Sequence, residues 1–465
     1  MSDATSSMPR LVVAGTASGV GKTTVVVALA RALRARGLRV ALFKCGPDYL
    51  DPTYHARAVD APSQNLDGWM MGRDAVRATF AQASRGADVA VVEGVMGLFD
   101  GASPSNEEGS TAQVAKWLDA PVALVVDAGG MARSIAALAQ GFVSYDRDLR
   151  VEAVVANQVG SRGHLDLLRT AQRTPPVVGG LPRDPEHAFP ERHLGLRTAE
   201  EATVPAELLD HWGAQADSWL GVEALLAIAR AASPMPEAAP TARAAGSRAC
   251  RIAVARDAAF HFYYAHNLQR LQDLGAEIVP FSPVDDAELP QVDGLYFGGG
   301  YPELFADRLA ANGSMREAVR AFAGAGGPVY AECGGLMYLT QAIVTTDGVS
   351  RPMVGLVPAA AMMRGTLQAL GYVEVETQAR TILGPAGTRF RGHQFRYSEL
   401  SPPPDPACVE HAYSVRKRRG NETTREGYRT KNVVASYVHA HWASNPSVPA
   451  ELVQACARFR EERGR

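Results

Sequence analysis

The amino-acid sequence predicts an α/β protein of two domains, a parallel sheet with helices on both faces followed by a second α/β unit. Three observations carry this. From Leu11 to about residue 229, short apolar runs alternate with longer amphipathic stretches. Over 231–248 (AASPMPEAAPTARAAGSR) the composition turns to Ala, Pro and Ser without periodicity, as in an interdomain linker. Strand–helix alternation then restarts at Arg251. Repeated alternation with strands apolar on both faces implies parallel sheets covered by helices. At 465 residues the chain is also too long for one core. The expected domains are 1–230 and 249–465, joined by 231–248.

In chain order, LVVAG (11–15) is a buried strand that runs into a glycine-rich loop and a helix over Thr23–Arg36. VALF (40–43), VAVVEG (89–94), VALVVD (122–127) and VEAVVAN (151–157) are further strands, with a helix over Arg133–Phe142 among them. Beyond the linker come RIAVA (251–255), a helix over His266–Leu274, the strands in EIVPF, DGLYFGG and PVYAE, and finally ASYVHAHW.

Bulk properties narrow the function classes. The 47 basic and 49 acidic residues leave a net charge of −2, which advertises neither nucleic acid nor an anionic membrane. The hydrophobic fraction is 46% and the charged fraction 21%, ordinary for a globular protein. The five cysteines are scattered without a CxxC spacing, so neither a disulfide framework nor a zinc site is expected, and a reducing cytoplasm fits. No signal-like leader and no membrane-length apolar run is present.

LVVAG followed by TASGVGKTT and an Ala/Leu/Val helix is the strand–loop–helix context of a phosphate-binding loop. Backbone N–H groups of such a loop face the phosphates, and Gly19 and Gly21 let the backbone approach. Lys22 reaches the β- and γ-phosphates of ATP, with Thr24 beside it, and the Thr23 hydroxyl holds Mg²⁺. Asp48 in FKCGPDYLDP and Glu93 in VVEGVMGLFDG follow predicted strands, where ligands of an open parallel sheet bind, and complete the candidate metal set. Asp127 is a weaker candidate. The spacing G-x5-GKT, one residue longer than the commonest form, resembles dethiobiotin synthetase and its carboxylate-activating relatives. Ala17 stands where the partitioning ATPases of that superfamily carry a second lysine.

In the second half, PVYAECGGLMYL puts Cys333 between a strand and an apolar helical stretch. A nucleophile on such a tight turn is exposed to substrate, and a helix N-terminus is expected to lower its thiol pKa. His439 in ASYVHAHW is the candidate base, with His441, two residues on, as its orienting partner. Gly298–Gly300 of FGGGYPEL, with Gly299 and Gly300 foremost, and Gly334 are candidate oxyanion donors. An isolated cysteine is ordinarily a structural one; the ECGG turn and the downstream HxH favour catalysis. The other four keep the structural reading.

These motifs in this order resemble the cobyrinic acid a,c-diamide synthases, which share their pattern with the hydrogenobyrinic acid enzymes. AGTASGVGKTT, FKCGPDYLDPTYH, QNLDGWM, VVEGVMGLFDG, ERHLGL, ARDAAFHFYYAHNL, FGGGYPELFADRLAANGSM, PVYAECGGLMYL, RGHQFRYSEL and ASYVHAHWASNP carry the resemblance over nearly the whole chain. GPDYLDP is the most discriminating, since cobyric acid synthase differs there. The resemblance implies a triad-type glutamine amidotransferase domain in which Cys333 frees ammonia from L-glutamine. It implies a first domain that uses ATP and Mg²⁺ to phosphorylate the c and a acetates of a corrinoid, which ammonia then amidates in cobalamin biosynthesis. By motif match, Asp48, Tyr49, Leu50, Asp51, Glu93 and Asp100 would surround the metal and the reacting carboxylate, and Asn157 would meet adenine. Lys44 is a further candidate cation. Cys45 replaces a common valine, and Gln394 and Arg396 replace a more usual glutamate and histidine; Arg396 reads equally as a solvated side chain.

The partners implied are small molecules, with no nucleic acid and no membrane; a homodimer fits but is not required. The nearest alternative is an a,c-diamide synthase acting on another tetrapyrrole, such as nickel-sirohydrochlorin. A P-loop switch protein would leave Cys333, His439 and GGGYPEL unexplained, and a purely structural amidotransferase domain would not need the Cys333–His439 pair.

Overall fold

Arg10–Gly15 is buried at all six positions, as a strand covered on both faces must be. The one charge in it is satisfied locally: the Arg10 guanidinium donates to the carbonyls of Met8, Leu118, Asp119 and Ser233. The computed structural model describes residues 5–6, 8–187, 204–236, 249–420 and 422–464. They divide into two units, Met1–Thr241 and Ala242–Arg465.

The first unit is a seven-stranded sheet in the order Gln64–Leu66, Val40–Cys45, Val89–Glu93, Arg10–Gly15, Val122–Asp127, Val151–Asn157, Val177–Gly179. Every neighbouring pair is parallel. The five predicted strands are all present; the short edge strands at Gln64 and Val177 were not predicted. Chain order reverses at Arg10–Gly15, which therefore marks the topological switch point where such sheets bind ligands. The helix Lys22–Ala35 follows this strand and buries Val25–Ala30, with Ala32 and Leu33, into the first core. Of the predicted linker, Met235–Pro236 pairs antiparallel with Thr5–Ser6, while 237–248 lie outside the described residues, as does ERHLGL.

The second unit holds a ten-stranded mixed sheet. Its parallel half runs Ala276–Phe281, Cys250–Ala255, Gly294–Phe297, Val329–Glu332, Val433–Ser436. An antiparallel half continues it through Thr423–Thr430, Glu410–Lys417, Ala369–Thr377 and Arg389–Arg396 to His439–His441. Only Tyr437 and Val438 separate the fifth strand of this order from the tenth. The sheet therefore curls until its far edge returns beside Val433–Ser436. A four-stranded sheet (Ser350–Pro352, Thr340–Val344, Val357–Met363, Ser398–Ser401) packs with this unit's core. The antiparallel half and the small sheet were not predicted.

Candidate functional site

Gly21 caps the helix Lys22–Ala35 at φ 89°, in the left-handed region. A Cβ there would stand 2.0 Å from Asn157 Nδ2, so the loop closes on Asn157 only because the residue is glycine. That same amide donates to the Val20 carbonyl at 2.9 Å. Asn157 thus ties the phosphate loop to the end of Val151–Asn157. The loop borders a cavity of about 520 Å³, lined by Gly19, Gly21, Lys22, Thr23, Thr24 and Asn157, with Asp48, Asp51 and Glu93 on another part of its wall. That size suits a nucleotide.

Lys22 Nζ donates to the Ala17 carbonyl at 3.0 Å and the Met96 carbonyl at 2.7 Å. Burial, then the neighbouring Lys44, push its pKa down to about 8; Glu93, Asp51 and Asp100 only partly offset them. Glu93 is fully buried and takes three donors. Its Oε1 accepts from Thr23 Oγ1 at 2.7 Å and Lys44 Nζ at 2.8 Å, and its Oε2 lies 2.6 Å from His55 Nε2. Burial alone would raise the Glu93 pKa, but Lys44 and His55 outweigh it and hold the group well below the usual carboxylate range. His55 Nδ1 lies 3.0 Å from Ser63 Oγ, whose own hydrogen goes to the Leu42 carbonyl. With that hydroxyl hydrogen committed, His55 Nδ1 is the donor to Ser63 Oγ, which turns Nε2 toward Glu93.

Lys44 was, on sequence grounds, a further candidate cation for the charge crowded at the reacting groups. Its three N–H donors are instead spent on Asp51 Oδ2 at 2.6 Å, Glu93 Oε1 at 2.8 Å and the Gly94 carbonyl at 3.0 Å. It is 3% exposed, and Asp51, Glu93 and Asp48 keep it charged despite burial. Removing it would take from two buried carboxylates the cation they share, a cost of about 3–5 kcal/mol. Lys44 organises the acids; Lys22 is the cation of the loop.

Asp48 Oδ1 accepts the N–H groups of Leu50 and Asp51 at 2.7 and 2.9 Å, which fixes the start of the helix Asp51–Val59. Tyr49 and Leu50 are buried beside that start, and Asp100 accepts the Gly97 N–H at 2.9 Å. Asp127 is exposed and accepts from Gly129 N–H at 3.0 Å. The donor set of Thr23, Asp48 and Glu93, a hydroxyl and two carboxylates, is chemically suited to Mg²⁺.

In the second unit Cys333 sits between Val329–Glu332 and Gly334–Leu339 at φ 47°, ψ −101°, a conformation that non-glycine residues adopt only when held. Its N–H donates to the Ser436 carbonyl at 2.7 Å, and its thiol points at the Phe395 carbonyl, 3.8 Å away. The expected lowering of its pKa is overturned. Burial, aided by Glu303, pushes the thiol up to about 12, and Arg396 only partly opposes this. The helix behind it has six residues and too small a dipole to compensate.

Gly300 has φ 150°, and a Cβ on it would stand 2.0 Å from the Ala259 carbonyl, so the backbone there requires glycine. A Cβ on Gly334 would meet Gly300 N at 3.1 Å, and one on Gly299 would meet His439 Cε1 at 2.4 Å. The Gly298–Gly300 loop therefore touches both the cysteine turn and the histidine. Gly298 N–H donates to the Tyr263 hydroxyl at 2.8 Å and Gly299 N–H to the Phe262 carbonyl at 3.3 Å. His439 is buried and its pKa is pushed down to about 3 by that burial. His393 is its cross-strand partner, with ring centroids 5.0 Å apart. His441 is fully buried, accepts from Ala443 N–H at 3.4 Å and packs on Tyr264 and His266. Arg396 is half-buried, with its guanidinium over the Tyr437 ring at 4.5 Å.

Sequence reasoning missed Glu332. Its Oε1 accepts from Tyr330 OH at 2.7 Å and from Ala440 N–H at 3.0 Å, and its Oε2 from Tyr296 OH at 3.1 Å. One buried carboxylate next to Cys333 thus holds the residue next to His439. His55 and His393 were missed too, although both lie inside quoted motifs.

A phosphate loop over buried acids in one unit, with a cysteine elbow against a glycine loop and a buried histidine in the other, defines a nucleotide-binding glutamine amidotransferase. Residues 11–196 match the CobQ/CobB/MinD/ParA nucleotide binding domain and residues 251–447 the CobB/CobQ-like glutamine amidotransferase domain. The chain is 49% identical to the cobyrinate a,c-diamide synthase of Leptospira interrogans, over 97% of this chain and 99% of that one. It is 48% identical to the enzyme of that name from Syntrophotalea carbinolica, over 97% and 99%. It is 41% identical to the hydrogenobyrinate a,c-diamide synthase of Streptomyces coelicolor, over 98% and 99%. The chain belongs to the cobyrinate a,c-diamide synthase family.

Proposed function

We propose that this enzyme converts the a and c acetates of cobyrinate, or of its metal-free counterpart hydrogenobyrinate, to amides, using ATP and ammonia released from glutamine. The observation that carries the reading is the presence of both half-sites in one chain: Lys22 and Thr23 beside buried Glu93, and Cys333 beside the Gly298–Gly300 loop that touches His439.

At the first site Lys22, Gly19, Gly21 and Thr24 bind the phosphates, and Thr23, Asp48 and Glu93 would hold Mg²⁺, which would supply neutralisation of the phosphate charge. Asn157 lines the nucleotide cavity, and Asp51, with Tyr49, Leu50 and Asp100 nearby, shapes the region that receives the acetate. A carboxylate oxygen of the macrocycle takes the γ-phosphoryl group and ADP leaves. Ammonia then displaces phosphate from the acyl phosphate. At the second site His439, neutral at rest, takes the Cys333 proton as sulfur attacks the glutamine amide carbon. That proton leaves with ammonia, and water cleaves the thioester to glutamate. Gly300 and Gly334 donate to the oxyanion; Gly299, whose N–H already serves Phe262, shapes the loop. His441 supports the strand of the base. No helix among the described residues is long and apolar enough to cross a membrane, and the free cysteines support a cytoplasmic location.

The substrate is tested by incubating the enzyme with ATP, Mg²⁺ and glutamine and either macrocycle, and following macrocycle mass. The expected product has exchanged OH for NH₂ twice and then stops. Hydrolysis of ATP and glutamine with both macrocycles unchanged would move the assignment to another tetrapyrrole, such as nickel-sirohydrochlorin.

Two further results are expected. Because Lys22 has a pKa of about 8 before phosphate arrives, part of the free enzyme carries it neutral above that pH. Phosphate stabilises the charged form, so nucleotide binding near pH 8.5 takes up a fraction of a proton, and uptake falls toward zero well below pH 8. Calorimetry in buffers of different ionisation enthalpy reads this directly; no difference between buffers at pH 8.5 would refute it. Second, Glu332→Gln weakens the link to Ala440. Glutaminase kcat is expected to fall about 10- to 100-fold with the KM for glutamine and ammonium-supported synthesis little changed. Equal loss with both nitrogen sources would show that Glu332 acts on overall stability instead.

A further inference from the structure

Asp184, His187 and His211 take no part in this chemistry, yet they come together at the cavity, where Asp184 and His187 line the wall and His211 stands behind them. His187 ends the single turn Pro185–His187, and its Nδ1 lies 3.0 Å from both oxygens of Asp184. His211 comes from the helix Ala206–Trp219 and brings Nε2 to 2.9 Å from Asp184 Oδ2. The two imidazoles stack with centroids 3.8 Å apart, and one ligand atom from each of the three residues falls within a 4.8 Å span.

Hydrogen bonding alone would account for a histidine–carboxylate pair. Three features go further. Two imidazoles and one carboxylate are the donor set of a borderline ion such as Zn²⁺, Co²⁺ or Fe²⁺, not of Mg²⁺. Metal–ligand bonds of about 2.0–2.2 Å in a tetrahedral array put neighbouring donor atoms about 3.4 Å apart. The observed separations of 2.9 and 3.0 Å lie within about 0.5 Å of that, so the set closes on an ion once the stacked rings turn to aim their nitrogens at it. Outer partners also hold the ligands. Gln215, one helical turn after His211, donates to Asp184 Oδ2 at 2.7 Å, and the Trp212 indole N–H donates to the His187 carbonyl at 2.9 Å.

We propose that Asp184, His187 and His211 bind a divalent transition-metal ion of the Zn²⁺ class through His187 Nδ1, His211 Nε2 and the Asp184 carboxylate. The site is distinct from the oxygen set of Thr23, Asp48 and Glu93, and it retains coordination positions for water or a ligand in the cavity. Each imidazole enters as the neutral tautomer protonated on its other nitrogen, so a metal bond replaces a hydrogen bond to Asp184. The inference does not depend on which macrocycle is the substrate.

The test is Zn²⁺ titration by calorimetry, with Co²⁺ difference spectra, on the full chain stripped with chelator and kept in excess Mg²⁺. Cys333→Ser serves as background so that the thiol does not compete. One ion per chain is expected, with affinity at least ~10-fold weaker in His211→Ala and in the near-isosteric Asp184→Asn. Far-UV dichroism and melting curves establish that the variants are folded. Absence of stoichiometric binding by the background protein overturns the proposal. So does affinity unchanged in both folded variants.

Discussion

Cys333→Ser is expected to lose glutamine-supported synthesis by on the order of 10⁴-fold while ammonium salts still support amide formation. The reason is local. Cys333 is the residue held at the φ 47° turn, the position proposed for the nucleophile, and a serine hydroxyl there lacks both the nucleophilicity and a strong base. Burial raises the resting thiol to about 12 and lowers His439 to about 3, so both are neutral. Proton transfer in the empty site is therefore steeply uphill. Thiolate should form only once glutamine supplies the dipole and oxyanion that stabilise the product of transfer. Alkylation of Cys333 by a neutral haloacetamide at pH 8 is accordingly expected to be slow without glutamine analogues. The first-order test is the ratio of glutamine- to ammonium-supported rates; equal loss of both would remove the two-site account.

Lys22→Ala has the converse effect. Synthesis from glutamine and from ammonium should fall together, by about 10²–10³-fold, if the lysine neutralises charge on the transferring phosphoryl group as proposed, while glutamine hydrolysis persists. Lys44→Met serves as the contrast. Lys44 is enclosed by Asp51, Glu93 and Gly94, so its loss should appear as a lower melting temperature. The two lysines are thus separable by whether nucleotide affinity or stability moves. Full synthetic activity in Lys22→Ala would refute the phosphate assignment.

What could be read from the sequence was what is local. The strand–loop–helix at Gly15–Lys22 and the strand–turn–helix around Cys333 are contiguous, and each residue type there follows from a single backbone requirement. Relations between distant segments were not legible. Lys44 lies in a quoted motif, but its enclosure depends on parallel pairing of Val40–Cys45 with Val89–Glu93. The thiol pKa went the wrong way because the turn suggested a dipole and could not show the surrounding burial. The antiparallel strands from Ala369 to Thr430 are rich in charge and interrupted by Gly371, Gly392 and Gly427, and the alternation that YVEVET (372–377) does show says nothing of which strand it pairs with, so the curled edge that returns His439 to its place was invisible. Asp184, His187 and His211 follow no motif at all. They converge through a one-turn helix and a partner 24 residues beyond it.

The most direct measurement is the fate of the amide nitrogen. The enzyme is given glutamine labelled with ¹⁵N in its amide, ATP, Mg²⁺ and cobyrinate or hydrogenobyrinate, and the product is examined by ¹⁵N-resolved mass spectrometry and NMR. The account predicts ¹⁵N in two new side-chain amides, at a and c, dependent on ATP and lost in Cys333→Ser. Label recovered only as free ammonium, with the macrocycle carboxylates intact in the presence of ATP, would contradict it.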